Sequence, residues 1–493
     1  MISLGVDIGG TGCKCVAFSD QGMQLALCYE EYPLASGTVN LPPEILTDSV
    51  FRVIRRCADT LEDPSAIAAI TVSSFGESFV AVDKQGQSLG DILMYFGNAE
   101  SAAFDALVDR VGRERFMRIC RILPDASYSL AKMLYTLANA ERPVWKFLFV
   151  AGFLCYRLSG KAATDVSLAC RSLLYDVNRG CWSEELVQAA EIPMDTLPQV
   201  VRSGAALGTL LPEVADALHL PRSAQVVIGT HDQMVNALGA GVCKVGDAVD
   251  TSGTCECVTP LFPQIPESLA FQKDNFACVP YLDEPGYVTY AYNISAGSVV
   301  RWYRDVLAFH LRDGNKSVYD VLNATAPAEP TNLMVLPFLQ GMGGTPEVDP
   351  NATGLIAGLT TQTRLPELYR AILEGITFEM RYNQEKLQQA GVNIQRFLAC
   401  GGGARSPVWL QIKADILGCE IVPVKSEETG AMGSAILGIA AVTGQKPLEI
   451  GKRFWKYGEP IRPNAAHVEI YNRRYAFYKT LRTAYQNLNQ KES

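Results

Sequence analysis

Two glycine–threonine turns, half a chain apart, are the residues of this 493-residue sequence best suited to chemistry. The first lies in DIGGTGCKCV at 7–16 and the second in DTSGTCECV at 250–258. With one gap, the matching residues are Asp7/Asp250, Gly10/Gly253, Thr11/Thr254, Cys13/Cys255, Cys15/Cys257 and Val16/Val258. The repetition predicts two related units, each with one turn between two strands. A chance match is the alternative.

Each turn has the composition of a phosphate-binding site. Glycine has no Cβ, so backbone N–H groups can approach an anion closely, and threonine adds a hydroxyl donor. Asp7 stands at the end of the first strand and could hold a divalent cation through water, because Mg²⁺ keeps much of its hydration shell. One such turn alone would suit an ordinary hairpin, but the second copy favours phosphate binding.

A further acid follows an apolar strand in VVIGTHDQM at 226–234. If this strand end borders a cleft, Asp232 is well placed to act as a general base. It could also cap the following helix, which the pattern predicts at 233–240. We expect His231 to be structural. A Ser-His-Asp hydrolase needs a G-x-S-x-G turn, and the similar segment at 76–80 lacks the last glycine.

Three glycines at 401–403 follow an apolar strand at 396–400. Ser406 is suited to the N-cap of the next helix and Pro407 to its first position. A backbone this bare would let a flat ring lie against it, whereas a helix start alone needs no run of glycines. A plain strand-to-helix loop is the alternative.

The elements that position these motifs alternate between strand and helix patterns, which predicts an α/β protein. Further strands are expected at 67–73, 79–83 and 333–337. Helices are expected near 44–61, 99–122, 128–141, 363–390, 407–417, 430–443 and 465–487, with 128–158 mainly helical. The repeated turns divide the chain into domains of residues 1–243 and 244–493. Facing turns would line a cleft between the domains, where ligands commonly bind.

Composition excludes several classes of protein. Hydrophobic residues make up 48% and charged residues 19%, which indicates a folded chain with sizeable cores. The net charge of −9 argues against a nucleic-acid or anionic-membrane partner. The start has no basic segment or cleavage site, and the apolar run at 147–155 is too short to span a bilayer. We therefore expect a cytoplasmic protein.

The 14 cysteines are too sparse for a disulfide scaffold, and no Cys-x-x-Cys occurs. We expect reduced thiols packed as small hydrophobic side chains. A metal clip at Cys13/Cys15 or Cys255/Cys257 is the alternative.

Taken together, these motifs make the chain similar to the FGGY carbohydrate kinases, within the actin–hexokinase–heat-shock ATPase superfamily, over nearly its whole length. GGGARSPVWLQIKADILG at 401–418 resembles a family signature and is the most specific match. The two turns resemble the family's phosphate-binding segments, and HDQ at 231–233 resembles its strand-end acid. AGSVVRW at 296–302, EETGAMGSA at 427–435 and the middle segment at 132–176 are similar as well.

The resemblance implies two RNase-H-like domains of the actin-like ATPase type, with a catalytic cleft between them. It implies ATP-dependent phosphorylation of a hydroxyl group of a sugar, ketose or polyol. Asp232 would be the general base, Ser74, Glu77 and Asp232 would bind the sugar, and Asp7 and Asp232 would hold Mg²⁺ through water. The implied nucleotide-binding residues are Gly10, Thr11, Lys14, Gly253, Thr254, Gly297, Gly402, Gly403 and Ala404. ATP and Mg²⁺ are the expected cofactors, and a homo-oligomer is left open.

The sugar-reading residues depart from both well-known subgroups. Xylulokinases usually carry Gly-Gln-Met-His-Gly where this chain has SFGES at 74–78, so Glu77 stands in place of the histidine. Glycerol kinases have an Arg-Glu pair there, which Glu77 matches while Gly76 does not. YFGNA at 95–99 offers neither the Asp nor the Arg that often follows the next strand. Glu77 could also merely cap a turn, so the identity of the sugar stays open.

Two other functions remain open from the sequence. An actin-like nucleotide switch that serves a partner would use the same turns, and ATP hydrolysis insensitive to every polyol would favour it. A kinase-like protein with altered chemistry is the other, suggested by the departures at 76–77 and 97–99. The signature at 401–418 and the acid at 232 favour the kinase.

Overall fold

Each glycine–threonine turn connects two antiparallel strands of a mixed sheet in the computed structural model. The structure describes residues 1–34, 38–94, 102–282, 284–311 and 317–489. The departure noted at 95–99 lies outside these residues. No helix in the described ranges has both the length and the apolar character needed to cross a bilayer.

The first half builds one sheet and the helices around it. Its strands are β1 (Ile2–Ile8), β2 (Gly12–Ser19), β3 (Gln24–Glu31), β4 (Ile67–Ser74), β5 (Phe79–Val82), β6 (Lys146–Phe149), β7 (Ala163–Asp165), β8 (Tyr175–Asp176), β9 (Cys181–Trp182), β10 (Gln199–Val201), β11 (Ala206–Thr209) and β12 (Gln225–His231). Its helices are α1 (Pro43–Asp59), α2 (Ala102–Val111), α3 (Arg113–Cys120), α4 (Ser129–Asn139), α5 (Val150–Ser159), α6 (Val166–Cys170), α7 (Glu184–Ala189), α8 (Pro212–Leu218) and α9 (Asp232–Ala240). The strand order is β11-β12-β4-β1-β2-β3.

The second half builds a second sheet. Its strands are β13 (Asp247–Ser252), β14 (Glu256–Phe262), β15 (Val279–Pro280), β16 (Tyr287–Val288), β17 (Ala291–Asn293), β18 (Met334–Leu336), β19 (Leu355–Ala357), β20 (Arg396–Cys400) and β21 (Glu420–Pro423). Its helices are α10 (Ala270–Lys273), α11 (Gly297–Trp302), α12 (Val318–Thr325), α13 (Leu365–Gln389), α14 (Pro407–Leu417), α15 (Thr429–Thr443), α16 (Pro447–Gly451) and α17 (Ala465–Asn489). The strand order is β15-β16-β14-β13-β20-β21, and β17 pairs with β14.

The two sheets share one arrangement around their turns. β1 is antiparallel to β2 and parallel to β4, which is parallel to β12. β13 is likewise antiparallel to β14 and parallel to β20, which is parallel to β21. This repeated topology fits the expected pair of RNase-H-like α/β domains. Because neighbouring parallel strands end at the same edge, each turn lies beside the ends of two further strands.

Two segments differ from the sequence-based expectation. The stretch 128–158 is not continuously helical, because β6 forms inside it and pairs with β5, with the ring of Phe147 edge-on to Phe79 at 5.0 Å. The helix expected at 99–122 is divided into α2 and α3 by Gly112, whose φ of 91° is open to glycine but costly for other residues.

Helix α15 belongs to the second half of the chain but packs on the first sheet. A Cβ at Gly5 of β1 would lie 2.0 Å from the carbonyl oxygen of Ala431. On its other side, a Cβ at Gly433 would lie 2.0 Å from the carbonyl oxygen of Val235 on α9. The backbones therefore touch directly, and this close packing brings the start of α15 beside the first turn.

Candidate active site

Three acids from neighbouring strands meet at one edge of the first sheet. Asp7 is the last residue but one of β1, Glu77 follows the end of β4, and Asp232 comes directly after β12. In the sheet these strands lie in the order β12-β4-β1, all parallel. Asp7 and Glu77 are both close enough to raise the pKa of Asp232. The structure thus brings together the acids that the sequence placed far apart.

Asp232 is the first residue of α9, and His231 is the N-cap. The backbone N–H of Gln233 donates to Nδ1 of His231 at 3.2 Å, so the alternative in which Asp232 caps the helix is wrong. The helix begins one residue earlier than expected, which leaves the carboxylate free of a capping role. Its Oδ1 is buried, lies 3.1 Å from Nδ1 of His231, and has no hydrogen-bond partner in the described part of the chain.

The surroundings of Asp232 hold its proton strongly. Burial, and then the charges of Asp7 and Glu77, raise the pKa of Asp232 to about 8. Burial also lowers the pKa of His231 to about 4, so that imidazole is neutral at pH 7. A carboxylate whose pKa lies near the working pH can accept and release a proton readily.

Lys14 lies across the strand pair from Asp7 and links the two halves of the chain. Its Nζ is 2.9 Å from Oε2 of Glu428, just before α15, and 3.9 Å from Oδ2 of Asp7. Burial disfavours its charge, but Asp7 and Glu428 outweigh burial and raise the pKa of Lys14. Lys14 is therefore a fixed cation shared by two acids at the edge of the site.

Asp7 and Asp232 fit a hydrated Mg²⁺ better than a directly coordinated metal. Burial raises the pKa of Asp7, and a Cβ at Gly430 of α15 would lie 3.0 Å from its Oδ2. The unpartnered Oδ1 of Asp232 offers an acceptor for a metal-bound water. Over the described ranges, no three His, Cys, Asp or Glu side chains are grouped to hold a metal directly.

Glu77 forms an ion pair with Arg171, a residue that the sequence analysis did not select. Nε and Nη2 of Arg171 both donate to Oε1 of Glu77. Glu77 adopts a left-handed backbone conformation with φ of 61°, an uncommon conformation that clusters at functional sites. Burial opposes its ionisation, yet the charge of Arg171 keeps the pKa of Glu77 below the usual value. Glu77 therefore does more than cap a turn.

Two tyrosines complete this side of the site and were also missed. The guanidinium of Arg171 lies 4.8 Å from the ring centre of Tyr128 and 5.4 Å from that of Tyr290. Tyr290 comes from the second half of the chain and stacks on His231, with ring centres 4.8 Å apart. The sequence carries no local signal for these contacts, because they join residues from distant segments.

Ser74 does not offer its hydroxyl to the site. The residue is fully buried, its Oγ donates to the carbonyl of Phe75 at 2.9 Å, and it accepts from the N–H of Ala151 at 3.1 Å. The hydroxyl thus ties the end of β4 to the start of α5. We do not retain Ser74 as a sugar-binding residue.

The two turns have equivalent hydrogen bonds but a different register from the one matched in the sequence. The N–H of Gly9 donates to the carbonyl of Gly12, and the N–H of Gly253 donates to the carbonyl of Cys255, both at 2.9 Å. Counted from these bonds, Asp7 corresponds to Thr251 and not to Asp250, so the matched pairs are shifted by one residue. The first turn is one residue longer than the second. The sequence match places its gap inside this turn, so residues on both sides of the turn are paired with partners one position too early.

Both turn tips are open to solvent, as a ligand site requires. Gly10 is half-buried, and Thr11, Gly253 and Thr254 are exposed. Nη2 of Arg301, at the end of α11, donates to Oγ1 of Thr254 at 3.2 Å. Arg301 was not selected from the sequence, and it adds a cation beside the second turn.

Gly297 fixes the second turn against α11. A Cβ at this position would lie 2.0 Å from the carbonyl oxygen of Gly253, and the N–H of Ser298 donates to the carbonyl of Thr254 at 3.0 Å. Gly297 is therefore a packing residue that lets the helix start approach the turn.

The glycine run before α14 has one open face. Gly402 is exposed, and a Cβ there would come no closer than 3.8 Å to Ser252. Gly403 is buried, and a Cβ there would clash with Ser252 and Trp409. Ala404 is half-buried. Only part of the run can therefore meet a ligand. The helix begins as expected, with Ser406 accepting from the N–H of Trp409 at 3.2 Å and Pro407 as the first residue.

Comparison with known proteins gives matches along the whole chain. The model of the N-terminal domain of the FGGY family of carbohydrate kinases matches residues 2–239, and that of its C-terminal domain matches residues 251–442. A xylulose kinase of Bacillus subtilis is 24% identical, covering 99% of this chain and 97% of that protein. A glycerol kinase of Thermococcus gammatolerans is 28% identical, covering 93% of each.

Solved structures share the fold. A ligand-bound xylulose kinase from Lactobacillus acidophilus superposes with a TM-score of 0.89 at 24% identity, covering 100% of both chains. A glycerol kinase from Plasmodium falciparum with ADP gives a TM-score of 0.81 at 17% identity, covering 100% of this chain and 98% of that one.

Two sheets of one topology, each with a glycine–threonine turn, define a two-domain α/β protein of the actin-like ATPase fold. The expected fold class is confirmed. The chain belongs to the FGGY family of carbohydrate kinases, whose members use ATP, and the expectation of a carbohydrate kinase is confirmed.

Proposed function

We propose that the chain transfers the γ-phosphoryl group of ATP to a hydroxyl group of a sugar, ketose or polyol, with Asp232 as the general base. The observation that carries the proposal is a set of buried polar atoms without hydrogen-bond partners in the described residues: Oδ1 of Asp232, Oε1 of Gln233 and the hydroxyl of Tyr290. Buried polar groups are normally satisfied, so this set is suited to a polar ligand. The names of the similar proteins, xylulose kinase and glycerol kinase, support the same class of acceptor.

The residues have separate roles in this proposal. Asp232 accepts the proton of the acceptor hydroxyl as its oxygen attacks the γ-phosphorus. Glu77 accepts hydrogen bonds from other hydroxyls of the same molecule. The turns at Thr11 and Thr254 hold phosphate oxygens, and Arg301 adds positive charge beside the second turn.

Mg²⁺ held through water by Asp7 and Asp232 would neutralise phosphate charge. We also propose that the domains comprise residues 1–243 and 244–493 and that the nucleotide lies between them. The exposed backbone at Gly402 would then face adenine, with Ala404 at its edge. Contacts across the halves, such as Lys14 with Glu428, would help to exclude water that could otherwise take the phosphoryl group.

A screen of acceptors tests the proposal. The purified chain is supplied with Mg-ATP and with ketopentoses, tetroses, deoxy sugars and polyols, and ADP release is measured for each. We expect at least one acceptor to be phosphorylated and, with that acceptor, ADP to be released faster than in its absence. ATP hydrolysis that no acceptor changes would support a nucleotide switch instead.

Gly253→Val is expected to weaken ATP binding by about tenfold or more, a loss of about 1.4 kcal/mol, without changing sugar affinity. A Cβ at Gly253 meets only the carbonyl of Cys255 at 3.7 Å, so the fold tolerates it while the branched side chain blocks the approach of phosphate. Titration calorimetry measures the affinity for ATP and, in the absence of nucleotide, the affinity for the sugar. Gly297→Val, whose Cβ would clash at 2.0 Å, serves as a control for misfolding. Equal loss of both affinities in Gly253→Val would remove the turn from the nucleotide site.

The rate of the free enzyme should rise with pH up to about pH 8 and then level off. Asp232 acts as a base only without its proton, and its pKa of about 8 means that most molecules carry that proton at lower pH. We expect kcat/KM for the sugar to increase about tenfold per pH unit on the acidic side. A flat profile between pH 6 and pH 8 would contradict the assignment.

The free energy of unfolding should fall as the pH rises, because Asp232 loses the same proton. The folded-state pKa of Asp232 lies above its unfolded value, so its contribution to stability is complete at acidic pH and is lost as the pH rises through about 8. Asp232→Asn should therefore gain melting temperature relative to the wild type more at pH 9 than at pH 5. Melting curves at both values check this.

A further inference from the structure

The side of the site that carries Glu77 is built around one buried guanidinium. The side chains of Arg171 and Glu77 are 12% and 11% exposed, so their ion pair is almost withdrawn from water. The rings of Tyr128 and Tyr290 both contact the guanidinium, with their centres 4.8 Å and 5.4 Å from it. Gly76 leaves the room that Arg171 needs, because a Cβ there would lie 3.1 Å from Cγ of Arg171 and 2.6 Å from Cδ2 of His231.

The ion pair still has unused N–H donors on Arg171 and an unused acceptor oxygen on Glu77. Nε and Nη2 of Arg171 are both used on Oε1 of Glu77. Across the described residues, neither Nη1 of Arg171 nor Oε2 of Glu77 has a hydrogen-bond partner. A free donor next to a free acceptor matches hydroxyl groups, each of which both donates and accepts.

Among the described residues, the cations close to this pair are already bound by groups of the protein. Glu77 neutralises Arg171, and His231 is neutral. Lys132 is the other cation close to Glu77; its Nζ is directed at the backbone carbonyls of Glu77 and Ser127 and is fully buried. At the edge of the site, Lys14 is shared by two acids, Asp7 and Glu428.

We propose that Arg171, held and neutralised by Glu77, is a specificity-determining residue that selects a neutral polyhydroxylated acceptor and rejects an aldonate. An arginine alone would attract a carboxylate through two parallel hydrogen bonds. With Glu77 on its Nε side, a second carboxylate would meet the charge of Glu77, and like charges at close range in a buried site repel strongly. This inference rests on the proposed function of the site.

Matched acceptors that differ only in charge test the inference. For each carbon skeleton, the polyol and the corresponding aldonate, such as glucitol and gluconate, are offered with Mg-ATP, and kcat/KM is measured for both. The wild type should favour the neutral member of every pair that it uses by at least about tenfold. A wild type that favours the aldonate overturns the inference.

We compare kcat/KM for the neutral acceptor with kcat/KM for the aldonate and call their quotient the neutral-to-acidic ratio. Glu77→Gln should lower this ratio. The amide keeps the shape of the carboxylate but leaves the charge of Arg171 without a partner, so a ligand carboxylate can take its place. We expect kcat/KM for the neutral acceptor to fall and the neutral-to-acidic ratio to drop at least about tenfold. The double variant Glu77→Gln with Arg171→Gln should return the ratio towards the wild-type value, because the unpaired cation is gone.

Several outcomes separate the hypotheses. If the ratio in Glu77→Gln stays at the wild-type value while its melting temperature is normal, Arg171 does not select by charge. If the double variant keeps the shifted ratio, the shift does not come from Arg171, and the inference is also wrong. Failure of the proposed function has a different signature: ATP binds, but neither member of any pair is phosphorylated. If Glu77→Gln does not fold, the wild-type ratios alone decide.

Discussion

Asp232→Asn is expected to lower kcat by about 10²–10⁴-fold while ATP affinity and the fold stay close to those of the wild type. The amide has the shape of the carboxylate but cannot take the proton of the attacking hydroxyl. Oδ1 of Asp232 has no hydrogen-bond partner to lose, so the substitution breaks no bond at that oxygen. The effect should therefore fall on the chemical step.

Coupled detection of ADP with an accepted sugar gives kcat, and calorimetry without sugar gives the affinity for ATP. Asp216→Asn is a matched control, because Asp216 lies on the exposed side of α8 in an ion pair with Arg222 at 2.7 Å. Exposed ion pairs contribute little, so this control should keep the wild-type rate. An Asp232→Asn variant that retains near-wild-type kcat would exclude Asp232 as the base.

The elements with strong local signals were predicted well from the sequence. β20 and α14 have the expected bounds, 396–400 and 407–417, because Ser406 and Pro407 mark the helix start independently of the surroundings. β6 was missed, since the apolar run 147–155 has no clear period, and pairing with β5 rather than local propensity makes its first part a strand.

The site was predicted where its residues end strands and missed where they approach from elsewhere. Asp7 and Asp232 could be found because parallel strands end at a common edge. Arg171 is 94 residues from Glu77, and Tyr290 belongs to the other half of the chain. Such contacts depend on tertiary packing, and a single sequence does not contain them. The absence of an arginine at Gly76 was the one available hint that a cation could come from another segment.

In the repeated turns, a shift of one residue in the sequence match pairs residues that lie on opposite faces of their strands. Side chains alternate between the two faces of a strand, so a shift of one exchanges those faces. Asp250 therefore does not share the position of Asp7 at the cleft. It points to the opposite face of the second sheet, where it contacts Lys413 on α14.

Asp250 is part of a buried cluster of charges beneath the second turn. Nζ of Lys413 lies 2.5 Å from Oδ2 of Asp250 and from Oγ of Ser252, and 2.6 Å from Oε1 of Glu256. The three charged side chains are about 1% exposed, and Oε2 of Glu256 has no partner within the described residues. One cation thus serves two buried carboxylates. Ser252 and Glu256 flank the turn at 253–255, so the cluster fixes both ends of it.

Lys413→Met is expected to lower the free energy of unfolding by about 3–5 kcal/mol at neutral pH, because removing one partner of a buried ion pair leaves charge without compensation. Methionine keeps most of the stem, so little packing is lost. The loss should shrink at acidic pH, because burial raises the pKa of Glu256 to about 7 and its protonation removes one of the two uncompensated charges. Urea unfolding at pH 5 and pH 8 measures both effects.

A control variant and a double variant separate the effect of the buried charge from a general loss of packing. The KM for ATP then shows whether the cluster affects the second turn. Lys446→Met, at an exposed ion pair with Glu284, should cost less than about 1 kcal/mol. Adding Glu256→Gln to Lys413→Met should recover part of the stability, since it removes one of the uncompensated charges. A small loss in Lys413→Met, or no recovery in the double variant, would contradict the argument. Because the cluster holds both ends of the turn at 253–255, folded Lys413→Met enzyme should also have a raised KM for ATP with an unchanged KM for the sugar.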